Sequence, residues 1–214
     1  MFPLNYPKPI VVDGEAEDFF WLQISLGLLQ VSSRHWDNDR PDTAAQQRAD
    51  RDAVLATHSN TWRHVEMAMK HDQLVLIHTP HLSDKAHGTK TVLEVLSGMD
   101  VNPDKIWIDH VEEETIEWVL DAGYWAGMTL YPVTKCSPRR AVDILEKYPT
   151  ERLLVNSSAD WGPSDPFTLQ ECIVEYRRRG HAVQEAVEIF HNNPCRFLGQ
   201  NPKWDIKPIR ITEE

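Results

Sequence analysis

Three short apolar segments, each ending in a side chain able to bind a metal, constrain this chain more than anything else in it. They are Leu74-Val75-Leu76-Ile77-His78, Ile106-Trp107-Ile108-Asp109-His110 and Leu153-Leu154-Val155-Asn156, the last running on to Asp160. Each is short, apolar and followed by turn residues, the pattern of a strand buried on both faces of a parallel sheet. A helical pattern follows each one, so the chain repeats strand, polar tip and helix. The expected fold is α/β, with a parallel sheet bent into a TIM-barrel-like or incomplete (β/α) barrel.

Residues 60–214 carry four such units. Helical spacing of Trp62, Val65 and Met69 precedes the strand ending at His78, and Val92, Leu93, Val95 and Leu96 mark the next helix. The second strand ends at His110, and Glu112 to Leu120 reads as a helix stopped by Gly123. A third strand, Tyr124 to Tyr131, leads to a helix capped by Ser137 with Pro138 in its first turn. The fourth strand precedes two helices centred on Ile173 and Val187. Arg177-Arg178-Arg179 before Gly180 suits a helix C-terminus.

Residues 1–59 read as a separate, atypical segment. Val11-Val12 is a candidate strand end, and Phe19 to Val31 is apolar with a periodicity that fits helix or strand. Arg34 to Ser59 is polar with little apolar pattern.

Composition excludes several classes. No apolar run approaches the roughly 20 residues of a membrane helix, and the N-terminal residues lack a basic stretch leading into an apolar core. The three cysteines are odd in number and widely spaced, as expected of thiols in a reducing cytoplasm. A formal net charge of -11 argues against a broad surface for duplex DNA.

Side chains at the carboxyl ends of parallel strands converge on one face. His78 and His110, on adjacent strands about 5 Å apart, can meet one ion. Asp109 precedes His110, and alternation along a strand sends the two to opposite faces, so Asp109 is expected to face the helix layer or a supporting partner. Asp160 fits a metal ligand and general base, although by itself it fits an Asx-turn or helix cap equally well. Asp165, before Pro166, is the better cap. His81, Lys85 and Arg139 are candidate anion binders or plain surface, and His87 is expected to face solvent.

The segments Leu76 to His81, Ile108 to Val111, Gly123 to Met128 and Leu154 to Asp160, with Asn193 to Leu198, resemble the TatD-type metal-dependent hydrolases of the amidohydrolase superfamily. The resemblance covers roughly Asn60 to Gly199. It implies a (β/α)₈ barrel, one or two divalent ions (zinc, magnesium or manganese) and hydrolysis of phosphodiester or related bonds. His78 and His110 match the family's mid-barrel histidine ligands, and Asp160 its late-strand aspartate. The family's N-terminal His-x-His pair is absent, and Gly14-Glu15 is the only upstream match to its bridging carboxylate, which makes Glu15 a candidate ligand.

Two functions follow as expectations. One is a metal-dependent hydrolase acting on a small molecule or nucleic-acid end through a metal-activated water, with Asp160 catalytic, His78, His110, Asp160 and Glu15 as ligands, and His81 and Lys85 on the substrate. The other is a non-catalytic binding or scaffold descendant with an incomplete site. Pairing with a second copy would cover an open sheet edge.

Overall fold

The computed structural model describes the backbone of residues 22–25 and residues 63–79, 85–131, 135–158 and 165–211. Five parallel strands form one sheet in chain order: β1 (Leu22–Ser25), β2 (Val75–His78), β3 (Ile106–Asp109), β4 (Trp125–Leu130) and β5 (Leu153–Ser157). All four neighbouring pairs are parallel. Every strand therefore advances the sheet in one direction, the order a barrel requires. Among the described residues the sheet is open, with β1 and β5 at its edges. β1 belongs to the segment whose periodicity fitted helix or strand, and it pairs with β2 as a strand.

Strands β2 to β5 are buried because apolar side chains alternate over two faces that are both covered. On the outer face, Val75, Ile77, Ile106, Ile108, Ala126, Met128 and Leu130 join the main core. The helices supply the other half of that core: helix α1 (63–70), α2 (Lys85–Ser97), α3 (Ile116–Asp121), α4 (Pro138–Lys147) and α5 (Thr168–Arg178). The inner face carries a second cluster, in which Leu76, Trp107, Trp125 and Leu154 pack with Phe197 and Leu198. Phe197 meets the rings of Trp107 and Trp125 edge-on, at centroid separations of 5.7 and 5.6 Å.

Local chemistry sets most boundaries. Ser137 accepts the N–H of Arg140 and Pro138 occupies the first turn, so α4 starts where the sequence placed it. Gly123 and Gly180 take positive φ (82° and 98°) after α3 and α5, a conformation glycine adopts without strain. Two helix starts differ from expectation. α3 begins at Ile116 rather than Glu112, because Thr115 before it holds φ of -127° and ψ of -18°, outside helical geometry. Asp165 is not the cap of α5; it accepts the N–H of Phe167 at 2.8 Å, closing the turn one step before the helix.

After α6 (Val183–Val187) the helix widens to a π-turn at Glu188–Asn192 and narrows again into α7 (Asn193–Leu198). The N–H of Asn193 reaches back to the carbonyl of Glu188, and Pro194 follows with no N–H to offer. Widening the turn there moves the carbonyl four residues back away from the proline ring. α7 in turn delivers Phe197 to the inner face. No helix among the described residues is long and apolar enough to cross a membrane.

Candidate metal centre

β2 and β3 end side by side, with His78 in register with Asp109. Both therefore project from the inner face beyond the layer of Leu76, Trp107 and Trp125. His110 then leaves the strand with φ of 66°. A histidine in the left-handed region is uncommon and costs conformational energy. That turn breaks the alternation of the strand and carries the imidazole to the side Asp109 already occupies. The expectation that Asp109 and His110 diverge is thereby corrected: His78, Asp109 and His110 each offer a ligand atom, all within 4.8 Å of one another.

The contacts are specific. His78 Nδ1 lies 3.1 Å from His110 Nε2 and 3.2 Å from Asp109 Oδ2. The imidazole centroids are 4.9 Å apart. Asp109 Oδ1 accepts two hydrogen bonds at 3.0 Å, from Thr129 Oγ1 on β4 and Asn156 Nδ2 on β5. Thr129 Oγ1 is also 2.8 Å from His110 Nδ1. Thr79 donates its hydroxyl to the carbonyl of Asp109 at 2.8 Å, tying the two strand ends together. Three successive strands thus hold one carboxylate by one oxygen and leave the other facing two imidazoles.

Gly127 makes room for this. A Cβ at that position would sit 1.8 Å from Trp107 Nε1 and 2.6 Å from Asp109 Oδ1. The indole crosses where a side chain would otherwise stand, and Asp109 is supported above it.

Asp109 and His110 are buried, while the His78 side chain keeps 20% of its surface open. Burial by itself would raise the Asp109 pKa, but the neighbouring imidazoles of His110 and His78 and the Asn156 amide outweigh it. The carboxyl is held well below the usual carboxylate range. The donor set of two imidazoles and one carboxylate is one that divalent ions use. Neighbouring ligand atoms around a four-coordinate ion with bonds of roughly 2.0–2.1 Å stand about 3.3 Å apart, close to the separations from His78 Nδ1 just given. These residues fit a divalent metal.

Lys85, at the start of α2, is buried, and its ammonium stands 2.6 Å from Glu112 Oε1. Arg140 reaches the other oxygen of Glu112 at 2.9 Å and Glu113 at 2.6 Å. The Arg140 hydrogen bond is the main reason the Glu113 carboxyl sits below its ordinary range. His87 is exposed, as expected. Asp160, Glu15 and His81 lie outside the described residues, as does Val11-Val12.

Sequence reasoning missed Asp109, Thr129 and Asn156 as members of this cluster. Position along the strands would have found the last two, since Thr129 pairs in register with Asn156 one step beyond Gly127. The turn at His110 has no sequence signal of its own.

The sheet with its strand-end cluster defines the class: an α/β fold of the barrel-hydrolase kind, incomplete among the described residues. More particularly, the fold is of TatD type. It superposes on a TatD-like protein from Archaeoglobus fulgidus with a TM-score of 0.53 and 25% identity, over 69% of this chain and 55% of that one. This chain thus spans just over half the length of that relative. A beta-aspartyl dipeptidase from Fervidobacterium islandicum, solved with a beta-Asp-Leu dipeptide, is similar at a TM-score of 0.46 and 12% identity, over 58% of this chain and 37% of that one. No family model and no curated protein matches the sequence.

Proposed function

We propose that this chain is a TatD-like metal-dependent hydrolase acting on a phosphoester or related bond, in a small molecule or at a nucleic-acid end. The observation that carries the reading is the convergence of His78, Asp109 and His110 at the carboxyl end of a parallel sheet of TatD type. In this reading the three side chains hold one divalent ion, which would supply Lewis acidity and make water a stronger acid.

Asp160 is assigned the general base, taking the proton from the attacking water. Support comes from its place four residues after Asn156, whose amide already reaches the cluster. His81 and Lys85 are assigned to the substrate anion; for Lys85 this requires sharing the ammonium with Glu112. Glu15 is assigned a further ligand, on its Gly-Glu motif alone. A second copy would cover the sheet edges that stand open among the described residues.

A second reading, a non-catalytic descendant that binds without turnover, is favoured by one feature: no His-x-His pair occurs in the sequence.

Metal content of protein purified without chelator decides between these readings, with His110→Ala as control. The expected result is one ion per chain, lost in the variant, and phosphodiester hydrolysis abolished by chelator. Asp160→Asn should lower turnover more than occupancy. Chelator-insensitive hydrolysis would rule out the metal-dependent mechanism, and no turnover of any ester or nucleotide by metal-loaded protein would rule out the hydrolase.

A further inference from the structure

We infer that the strap following α7, residues 204–211, is a self-association surface that docks on a second copy of this chain, with Arg210 entering an acidic cavity beside α6. The inference does not depend on the hydrolase reading. Its cavity reaches Glu151, before the amino end of β5, whereas His78, Asp109 and His110 stand at the carboxyl ends of their strands.

The strap is held by its backbone, which leaves its side chains open. Asn192 donates its amide to the carbonyl of Ile209 and accepts the Ile209 N–H, both at 2.8 Å. Gln184 Oε1 accepts the N–H of Ile211 at 2.8 Å, and His191 Nε2 lies 3.1 Å from the carbonyl of Lys207. Anchors at every second residue follow the alternation of an extended chain, in which the main-chain groups of 206, 208 and 210 turn outward. Pro208 has no N–H to offer there, so strand addition is blunted and recognition falls to side chains. Those side chains are apolar and basic. Ile206, Ile209 and Ile211 keep 48, 51 and 39% of their surface open, and Val183, next to the Gln184 anchor in the chain, keeps 39%. Exposed apolar side chains grouped in this way mark an interaction site. Lys207 and Arg210 interleave with them, exposed and without an ion-pair partner among the described residues.

The complementary surface is on the same chain. A cavity of about 450 Å³ is lined by Glu151, Glu185, Glu188 and Arg196, with Tyr176 and Ile189 as apolar walls for the stem of a long cation. Glu188 joins cavity to strap: its Oε1 accepts from both anchors, Gln184 at 2.9 Å and Asn192 at 2.8 Å, and its Oε2 pairs with Arg196. Glu151 and Glu185 are then a surplus of two carboxylates. Glu185 Oε2 accepts the N–H of Ala182 at 2.7 Å and stands 3.6 Å from His181 Nδ1, which holds it in place. Glu151 is exposed and has no ion-pair partner among the described residues. Because the two surfaces adjoin, a two-fold axis at their junction sets each strap on the other copy's cavity. Lys207 and Arg210 match that surplus of two, and the reciprocal contact satisfies both halves at once, which favours a second copy over an unrelated partner.

Sedimentation equilibrium of the full chain tests this in about 0.15 M salt, where the net charge of -11 is screened beyond about 8 Å. The expected result is a concentration-dependent dimer. Arg210→Glu, Glu151→Arg and Ile209→Ser should each weaken it roughly tenfold or more. All three side chains are exposed, so these substitutions test contact rather than folding. The double variant Arg210→Glu/Glu151→Arg should recover most of the loss, since it restores the pair with its signs exchanged. A chain that stays monomeric up to about 100 μM would overturn the proposal. So would a dimer indifferent to Arg210→Glu and Ile209→Ser, such as one closed through the sheet edges, or a charge exchange that recovers nothing. A dimer that responds as expected but takes up no metal would overturn the hydrolase reading alone.

Discussion

Replacing Gly127 with alanine adds one methyl group at the most crowded point beneath the cluster. Its Cβ would stand 1.8 Å from Trp107 Nε1, 2.7 Å from Trp107 Cε2 and 2.6 Å from Asp109 Oδ1. Ordinary contact needs about 3.5 Å, so the indole would have to retreat by roughly 1.7 Å. It has little room to do so, because its face is set edge-on against Phe197. Overpacking of this kind costs about 1–3 kcal/mol. Displacing Asp109 from its two donors adds about 1.5–3 kcal/mol for a hydrogen-bonded charge. The sum, about 2.5–6 kcal/mol, corresponds to a fall in Tm of roughly 5–24 °C for a chain of this size. Urea unfolding and zinc competition measure the two halves separately. Trp107→Leu makes room for the methyl without restoring Asp109. The double mutant should therefore be less destabilised than the two single mutants added together, while zinc affinity stays low. A Gly127→Ala protein with wild-type stability and zinc affinity would refute the packing argument. Full recovery of affinity in the double mutant would refute the part assigned to Asp109.

Asp109→Asn should lower zinc affinity at least tenfold by isothermal titration. It should also change the acid limb of stability. Because the folded carboxyl titrates below its unfolded value of about 3.9, its stabilisation is present above that pH and lost as pH falls towards the folded value. The advantage of wild type over the variant should therefore shrink below about pH 4. The buried ion pair predicts an asymmetry. Lys85→Met leaves Glu112 still paired with Arg140 and should cost about 1–2 kcal/mol in urea unfolding. Glu112→Gln strands the buried ammonium and should cost about 3 kcal/mol or more. Equal costs would show that Arg140 does not share the load. Burial pushes the thiols of Cys136 and Cys172 up to about 12, so iodoacetamide at pH 8 should label neither in native protein and both in denaturant. Fast native labelling would contradict their burial.

What the sequence determined by itself is the strand–helix repeat and most of its punctuation. Buried parallel strands must be short and apolar on both faces, so β2 to β5 stand out against any background of polar helices. Ser137-Pro138, Gly123 and Gly180 act through their own backbones, and a local rule suffices to read a local cause. His78 and His110 were legible for the same reason, as polar tips on apolar runs. The tertiary structure decided what those tips do. Alternation along a strand predicts opposite faces for Asp109 and His110, and it fails because His110 turns to φ of 66° one residue beyond the last paired position. Glu112, read as a helix opener, is claimed by Lys85 and Arg140 from elements 27 and 28 residues away. Thr129 and Asn156 joined the cluster through strand register, which places residues 19 and 47 positions distant beside His110 and Asp109. Periodicity along the chain says which residues are buried; which of them meet is set by pairing across the sheet, where contact no longer depends on sequence separation.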